Sequence, residues 1–578
     1  MGSYLSGWFT SKEAPKPPTP SMSDRLSNLA SNNYRGIVGS APLILILWFA
    51  ERGNNRRTVT LMWLWMFWSF LIQPVAPTVV GMITLFVLPM AGVLDSNVVC
   101  KCFMNENIIL YVISGMLVLL LNNSGADRRI ALWFLSSGDA NQYTAKRIVY
   151  KCSAASYFLS MFSNRLIATS TLCQYMTPVF SQLQSSMSKG SAEPDYQQMS
   201  YIVSNAIQTS SAIGSIGILH SAYVTMLFRA IFAEAPYRDK EYPDIFNYLQ
   251  YSAFAFPLSL IMFILNAFYH MFLVGRLGKS MSSSSMSAVQ DAVSKNKADL
   301  PSEVTLHEKL TIVSLVLVLL MFFLRWNRWI GGWSTFRKDP DSPEIPRVKD
   351  ATVAAIFLIT FHIIPKGYGF MKYISASKKS QLPPIKPESG ILWWRFVDKN
   401  TNYGFFLLFG SGIALVHASR DTGLAREISE NIGLIITNKP WNVGIFLVVF
   451  ITALLANLMS SMAVCTIFLP FVMSMGADAA HPWPTSLYCA ALGVGVASSF
   501  GFCVPHQYTP GFFSRMHGKV PVAKMIMLSL VPVCMCIVLL WLALIIWAPF
   551  LFDPHNHGIV PVNAPGVAAT PPAEPPAP

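Results

Sequence analysis

Two apolar stretches of this chain, far apart in sequence, are interrupted at the same place by the same kinds of residue. Ser210–Arg229 reads SSAIGSIGILHSAYVTMLFR, and Val496–Arg515 reads VASSFGFCVPHQYTPGFFSR. One offset of 286 superposes His220 on His506 and Arg229 on Arg515. Each stretch has the length of a membrane span, yet Gly, Ser, His or Pro breaks it near its middle. Backbone that leaves the helix inside a bilayer survives only where protein or a water-filled cavity satisfies its N–H and C=O groups. Two such breaks at corresponding positions of two halves point to a secondary transporter of inverted repeats, with its site at the breaks.

Hydrophobic residues make up 53% of the chain and charged residues 12%, against about 25% charged in a soluble domain. Segments near the spanning length of about 20 residues recur. They lie at 37–50 (short), 58–73, 77–94, 106–121, 148–162, 200–233, 246–275, 310–330, 351–371, 403–418, 441–458, 485–505 and 525–551. The expected fold is an all-α polytopic membrane protein, and a receptor with one anchor is excluded. The start, MGSYLSGWFTSKEAPKPPTP, has no apolar core or cleavage-like site, so no cleaved signal peptide is expected. The Pro/Ala-rich tail beyond Asp553 reads as disordered.

The net charge of +13 does not indicate nucleic acid, because the basic residues flank apolar segments, as the positive-inside bias requires. Arg128, Arg129, Lys146, Arg147 and Lys151 mark one cytosolic face, and Arg276, Lys279, Lys295, Lys297 and Lys309 mark another. The tail from Leu551 has no Lys or Arg, which places the C-terminus outside and the N-terminus in the cytosol, with the plasma membrane as the first expectation. One loop departs from the pattern: Glu51–Arg57 carries three arginines between the first two segments. The nine cysteines include the C-x-C pairs Cys100/Cys102 and Cys534/Cys536 and no C-x-x-C, which reads as packing and not as metal binding. There is no Walker A motif and no H-E-x-x-H, so neither an enzyme nor an ATP-driven pump is expected.

The order expected is a cytosolic segment (1–35), a first membrane repeat (36–275), a connecting region (276–350), a second repeat (351–552) and the tail (553–578). Each repeat contains a sequence that enters the membrane and turns back, near 153–181 and 442–476. Both place a small-polar cluster before a proline, Pro178 or Pro470. Such turns need Ser, Asn and Thr to satisfy open backbone ends, and present N–H groups towards an anion. The polar links Ser137–Arg147 and His417–Asn431 fall on opposite faces in this scheme, as inverted topology demands.

From roughly Arg35 to Asp553 the chain resembles the divalent-anion/sodium symporter family, which includes di- and tricarboxylate and sulfate carriers and the INDY proteins. The resemblance is clearest in GVLDSNVVCKCFMNENIILYVISGMLVLL, RRIAL, YFLSM, AFAFPL, DATVAAIF, GSGIALV, TIFLPF and ASSFGF. It implies a homodimer in which a transport domain moves as an elevator against a scaffold. The family's Ser-Asn-Thr hairpin tips are altered here. The second tip is Ser460-Ser461-Met462, and the first is either Ser163-Asn164-Arg165 or Ala168-Thr169-Ser170. The family's Thr-Pro-Pro-Asn turns are also eroded: Thr225 and Gly511 stand at the Asn positions, with Thr509-Pro510 retained, and Asn122 replaces a usual acid. Ser163, Gly217 and Ser460 are candidate remnants of sodium sites. Loss of oxygen ligands at several corners implies weak or absent sodium coupling, with proton coupling or exchange in its place.

The candidate substrate-binding residues are Ser163, Asn164, Thr169, His220, Ser221, Thr225, Ser460, Ser461, His506 and Thr509. An ionisable side chain at membrane depth is costly and points to function, and histidine titrates near physiological pH. The alternative for His220 and His506 is neutral packing. Arg229 and Arg515 follow the histidines by nine positions, about 180° round a continuous helix. They read as interfacial charges that snorkel or, if the helix is broken, as anion clamps. Arg165 at a hairpin tip either meets the anion, stands in for the coupling cation, or is solvated. The expected function is alternating-access transport of a small organic anion such as succinate or citrate. The alternatives are the same fold carrying sulfate or another solute, or a non-transporting carrier-derived sensor or scaffold. The expected partners are the anion, the bilayer and a second copy of the chain. No organic cofactor is expected.

Overall fold

The computed structural model describes residues 21–49, 54–136, 144–186, 196–237, 240–241, 245–276, 283–327, 331–336, 348–377, 382, 388–433, 440–475, 484–505 and 508–552. The described chain is almost wholly helical, apart from a two-residue antiparallel pairing of Pro236–Tyr237 with Lys240–Glu241 and two isolated bridges. The disordered-tail expectation and His506 lie outside the described residues.

Among the described residues, five helical runs are long and apolar enough to cross a bilayer: Ser96–Ser124, Tyr248–Arg276, Leu306–Phe323, Trp441–Leu458 and Val522–Ile546. This is fewer than the thirteen sequence segments, for a physical reason. Half-helices and short apolar helices such as Asp350–Ile363 and Ser461–Met475 fall below the spanning length. Helix Tyr196–Gly214 is buried from Met199 onward and is held by its own polar side chains, Asn205, Gln208 and Thr209 among them.

Two helical hairpins and two broken helices dominate the interior. The first hairpin has arms Ala145–Phe162 and Arg165–Ser186, and the second has arms Trp441–Leu458 and Ser461–Met475. The first turn therefore falls at Ser163-Asn164; Ala168, Thr169 and Ser170 lie inside the second arm. The first broken helix comprises Tyr196–Gly214 and Tyr223–Glu234, and the second Pro484–Ala497 and Thr509–Gly518. Pro178 and Pro470 both lie within second arms, a position tolerated at membrane depth when neighbouring groups re-satisfy the backbone.

Packing between these elements is reciprocal. The second arm of hairpin one lies on the half-helix Thr509–Gly518 from the other half of the chain, and the second arm of hairpin two lies on Tyr223–Glu234. A glycine in each break makes close packing feasible. A Cβ at Gly214 would meet the Tyr157 carbonyl in the first arm of hairpin one, and a Cβ at Gly501 would meet the Ala456 carbonyl in the first arm of hairpin two.

A separate apolar core containing Leu135, Cys152, Leu172, Val203 and Val293 binds hairpin one to helices Ala126–Ser136 and Ser283–Ala298. The arginine-rich loop finds an acid at the far side of the sequence: Arg56 Nη1 lies 3.3 Å from Glu427 Oε2 and its Nε donates to the Thr422 carbonyl. Arg56 thus shares a face with Thr422 and Glu427 of the link at His417–Asn431. All nine cysteines are unpaired.

Candidate functional site

Hairpin one turns because Ser163 leaves the helix at φ −119°, ψ −106° and Asn164 starts the next one. Asn164 Oδ1 accepts from the Leu166 N–H at 2.9 Å, satisfying one of the open donors at the helix start. The Ser163 hydroxyl donates back to the Leu159 carbonyl at 2.8 Å. One turn on, Thr169 Oγ1 donates to the Arg165 carbonyl at 2.8 Å and lies 2.7 Å from Ser211 Oγ on the first broken helix.

Arg165 reaches across to the other half of the molecule. Its guanidinium lies over the Tyr508 ring, 5.1 Å from the centroid, within cation–π range. Its Nη1 is buried and has no hydrogen-bond partner. Tyr223, the first residue after the first break, lies beside both Asn164 and Arg165. Tip one therefore meets the restart of both broken helices.

In the first break, hydroxyls hold the backbone open. Ser221 donates to the Met161 carbonyl of hairpin one. Thr225 Oγ1 lies 2.6 Å from the Leu219 carbonyl and 2.7 Å from that of Ala222. Gly217 packs against Ser259 and Met161. His220 lines a small apolar cavity with Leu117, Leu315 and Phe322, and its ring lies 6.0 Å from that of Tyr248.

The second break is tied to hairpin two by Asn457. Its Nδ2 donates to the Phe500 carbonyl at 3.1 Å and its Oδ1 accepts from the Cys503 N–H at 2.9 Å. At tip two, Ser460 Oγ accepts from the Ala463 N–H at 3.3 Å and Ser461 is buried. Thr509 is exposed at the start of its half-helix, with Pro510 in the first turn. Gln208 Nε2 donates to the Phe502 carbonyl at 3.3 Å and so links the two broken helices.

The structure thus gathers Ser163, Asn164, Thr169 and Arg165 with Tyr508 and Ser211, and ties the arm that precedes Ser460 to the second break through Asn457. Tyr508, Ser211 and Asn457 did not stand out in sequence. Asn457 carried a usable signal: an amide within an apolar arm is costly unless it is bonded. Asp127 is a fully buried carboxylate that accepts from Asn122 at 3.0 Å and from Thr171 at 3.2 Å. It therefore supplies an acid next to the position where Asn122 lacks one. Arg229 does not snorkel; it pairs with Asp350.

Both hairpin tips and both restarts are helix N-termini, whose N–H groups and dipoles favour an anion, and Arg165 adds a full positive charge. Hairpins and broken helices of this kind within an apolar helical bundle define a membrane transport protein, not an enzyme. The profile of CitMHS, citrate transporter, matches residues 62–495, and the chain belongs to that family.

The protein I'm not dead yet of Drosophila melanogaster is 21% identical over 572 residues, covering 94% of this chain and 93% of its own. The mouse Na(+)/citrate cotransporter is 21% identical over 532 residues, covering 85% and 90%. The rat Na(+)/dicarboxylate cotransporter 3 is 25% identical over 341 residues, covering 57% and 54%. Among solved structures, Neisseria gonorrhoeae MtrF, described as illuminating a class of antimetabolite efflux pumps, is similar with a TM-score of 0.51. It is 13% identical, covering 78% of this chain and 84% of its own. That likeness concerns the fold alone.

Proposed function

We propose that this protein is a secondary carrier of small organic anions, di- or tricarboxylates such as succinate or citrate, working by alternating access. One observation carries the reading: Arg165 at tip one holds a buried, unpartnered Nη1 over Tyr508. A guanidinium with donors to spare binds a carboxylate through charge-assisted hydrogen bonds. Asn164, Thr169, Ser460, Ser461 and Thr509 supply the polar surroundings. The names of the mouse and rat relatives support the substrate class. The paired hairpins and breaks support two repeats of inverted topology, and the family resemblance supports an elevator motion in a homodimer of the plasma membrane.

Proton coupling or anion exchange replaces sodium in this reading. Gly217 brings no side-chain oxygen to the candidate sodium site, and Thr225 and Gly511 stand where the family it resembles carries Asn. The fixed charge of Arg165 does the neutralising that a cation would do. Sodium coupling is the second reading, favoured by the names of those two relatives.

Isothermal titration of citrate and succinate into purified protein, in sodium and in choline buffers, tests both points. Binding of equal strength in the two buffers, weakened about ten- to hundredfold in Arg165→Gln, is the expected result. Binding only in sodium selects the second reading. Absence of binding in both rejects the substrate class.

A further inference from the structure

Behind hairpin one lies a groove that the transport site does not use. The first arm, helix Ala126–Ser136 and helix Leu306–Phe323 line an apolar space of about 480 Å³ with Trp133, Phe158, Phe162, Ile312 and Leu319. At 1.5 Å per residue, Ile312 to Leu319 gives it a length of about 10 Å along the helix. Its inner end is Phe162, the residue before tip-one Ser163.

Trp133 also borders a second space of about 480 Å³, whose walls are apolar at Leu132, Leu300 and Val304 and polar at Arg129, Lys297, Ser294 and Ser302. Arg129 is already fixed: its Nε donates to Glu308 at 2.8 Å, and its other nitrogens donate to the carbonyls of Pro301 and Glu303. Lys297 is exposed and has no ion pair among the described residues, so it carries the uncompensated charge. The positive-inside pattern puts this mouth at the cytosolic leaflet, where anionic lipids concentrate.

We infer that the two spaces, which share Trp133 as a wall, bind one anionic phospholipid, with an acyl chain in the groove and the phosphate headgroup at Lys297, Ser294 and Ser302. The two chemistries require an amphiphile. A soluble carboxylate gains nothing from aromatic walls, and a zwitterionic lipid gains little from Lys297. The bound chain braces the first arm of hairpin one against helix Leu306–Phe323, directly beside the tip. This inference is independent of which solute is carried.

The test uses full-length protein in nanodiscs of phosphatidylcholine containing phosphatidylglycerol with a photoreactive diazirine on its acyl chain. Adducts are mapped by mass spectrometry, and retained lipid is counted by native mass spectrometry. The expected adducts lie on the peptides bearing Phe158, Phe162 and Leu315, with fewer when the label is on phosphatidylcholine. Lys297→Glu, at an exposed position, lowers retained phosphatidylglycerol about fivefold or more, the scale of a single surface charge. Leu315→Trp fills the groove and removes its adducts. Adducts confined to the outward faces of Tyr248–Arg276 and Val522–Ile546 overturn the proposal, as does retention unchanged by Lys297→Glu.

Discussion

Arg229 Nη2 donates to Asp350 Oδ2 at 2.6 Å, and the carboxylate of Asp350 also meets Arg325. All three side chains are buried. Arg229 belongs to the half-helix after the first break, whereas Arg325 follows the helix Leu306–Phe323 and Asp350 opens Asp350–Ile363. The cluster therefore joins the half of the molecule that carries the first break to the region connecting the two halves. Glu106 is close by and accepts from the Ala351 N–H at 2.9 Å.

Two guanidinium groups sharing one carboxylate make the three residues unequal. Asp350→Asn leaves both arginines without their shared acid, and breaking a buried pair costs roughly 3–5 kcal/mol. Arg229→Met leaves Asp350 with Arg325 and costs less. Thermal unfolding of purified variants is expected to show the larger drop for Asp350→Asn. Equal drops would contradict the shared-carboxylate arrangement.

Arg165 is the residue on which anion binding turns. Removing a charge-assisted hydrogen bond costs about 1.5–3 kcal/mol, which is about a ten- to hundredfold weakening. Arg165→Gln is expected to raise the half-saturating anion concentration by that factor. Arg165→Lys keeps the charge without the planar fork and is expected to fall between the two. A half-saturation unchanged in Arg165→Gln would remove Arg165 from the site.

Gly214 and Gly501 are expected to behave alike. Each abuts a carbonyl in the first arm of its own hairpin, so Gly214→Ala and Gly501→Ala force the arm and the break apart. Overpacking of this kind costs about 1–3 kcal/mol, read as lower thermal stability and lower yield of monodisperse protein. Gly36→Ala, with nothing within 4 Å, is the control and is expected to be neutral.

Much of this architecture was legible in the sequence, because membrane-depth polarity is conspicuous. The breaks at Gly214–Ala222 and after Phe500, and the hairpin turn at Ser460, follow from Gly, Ser and Pro in apolar runs. What the sequence left open was partnership. Nothing local to Arg229 reveals Asp350, 121 positions away, so a solvated end was the natural reading. The same holds for Arg56 and Glu427, and for Arg165 and Tyr508. His220 shows the converse: an offset of 286 matched it to His506, but the offset carries no rotamer, and its ring turns into apolar packing. Asn164 and Thr169 were legible as polar residues. Which of the two marks the turn depended on where the helix stops, and only the capping geometry at Leu166 decides that.

The central claim is most directly tested by uptake of radiolabelled citrate and succinate into proteoliposomes, with sodium and pH gradients imposed separately. The account expects saturable uptake of either anion that proceeds without sodium, responds to a pH gradient or to counter-loaded anion, and falls about ten- to hundredfold at sub-saturating anion in Arg165→Gln. Uptake that requires a sodium gradient, or equal uptake by wild type and Arg165→Gln, would contradict it.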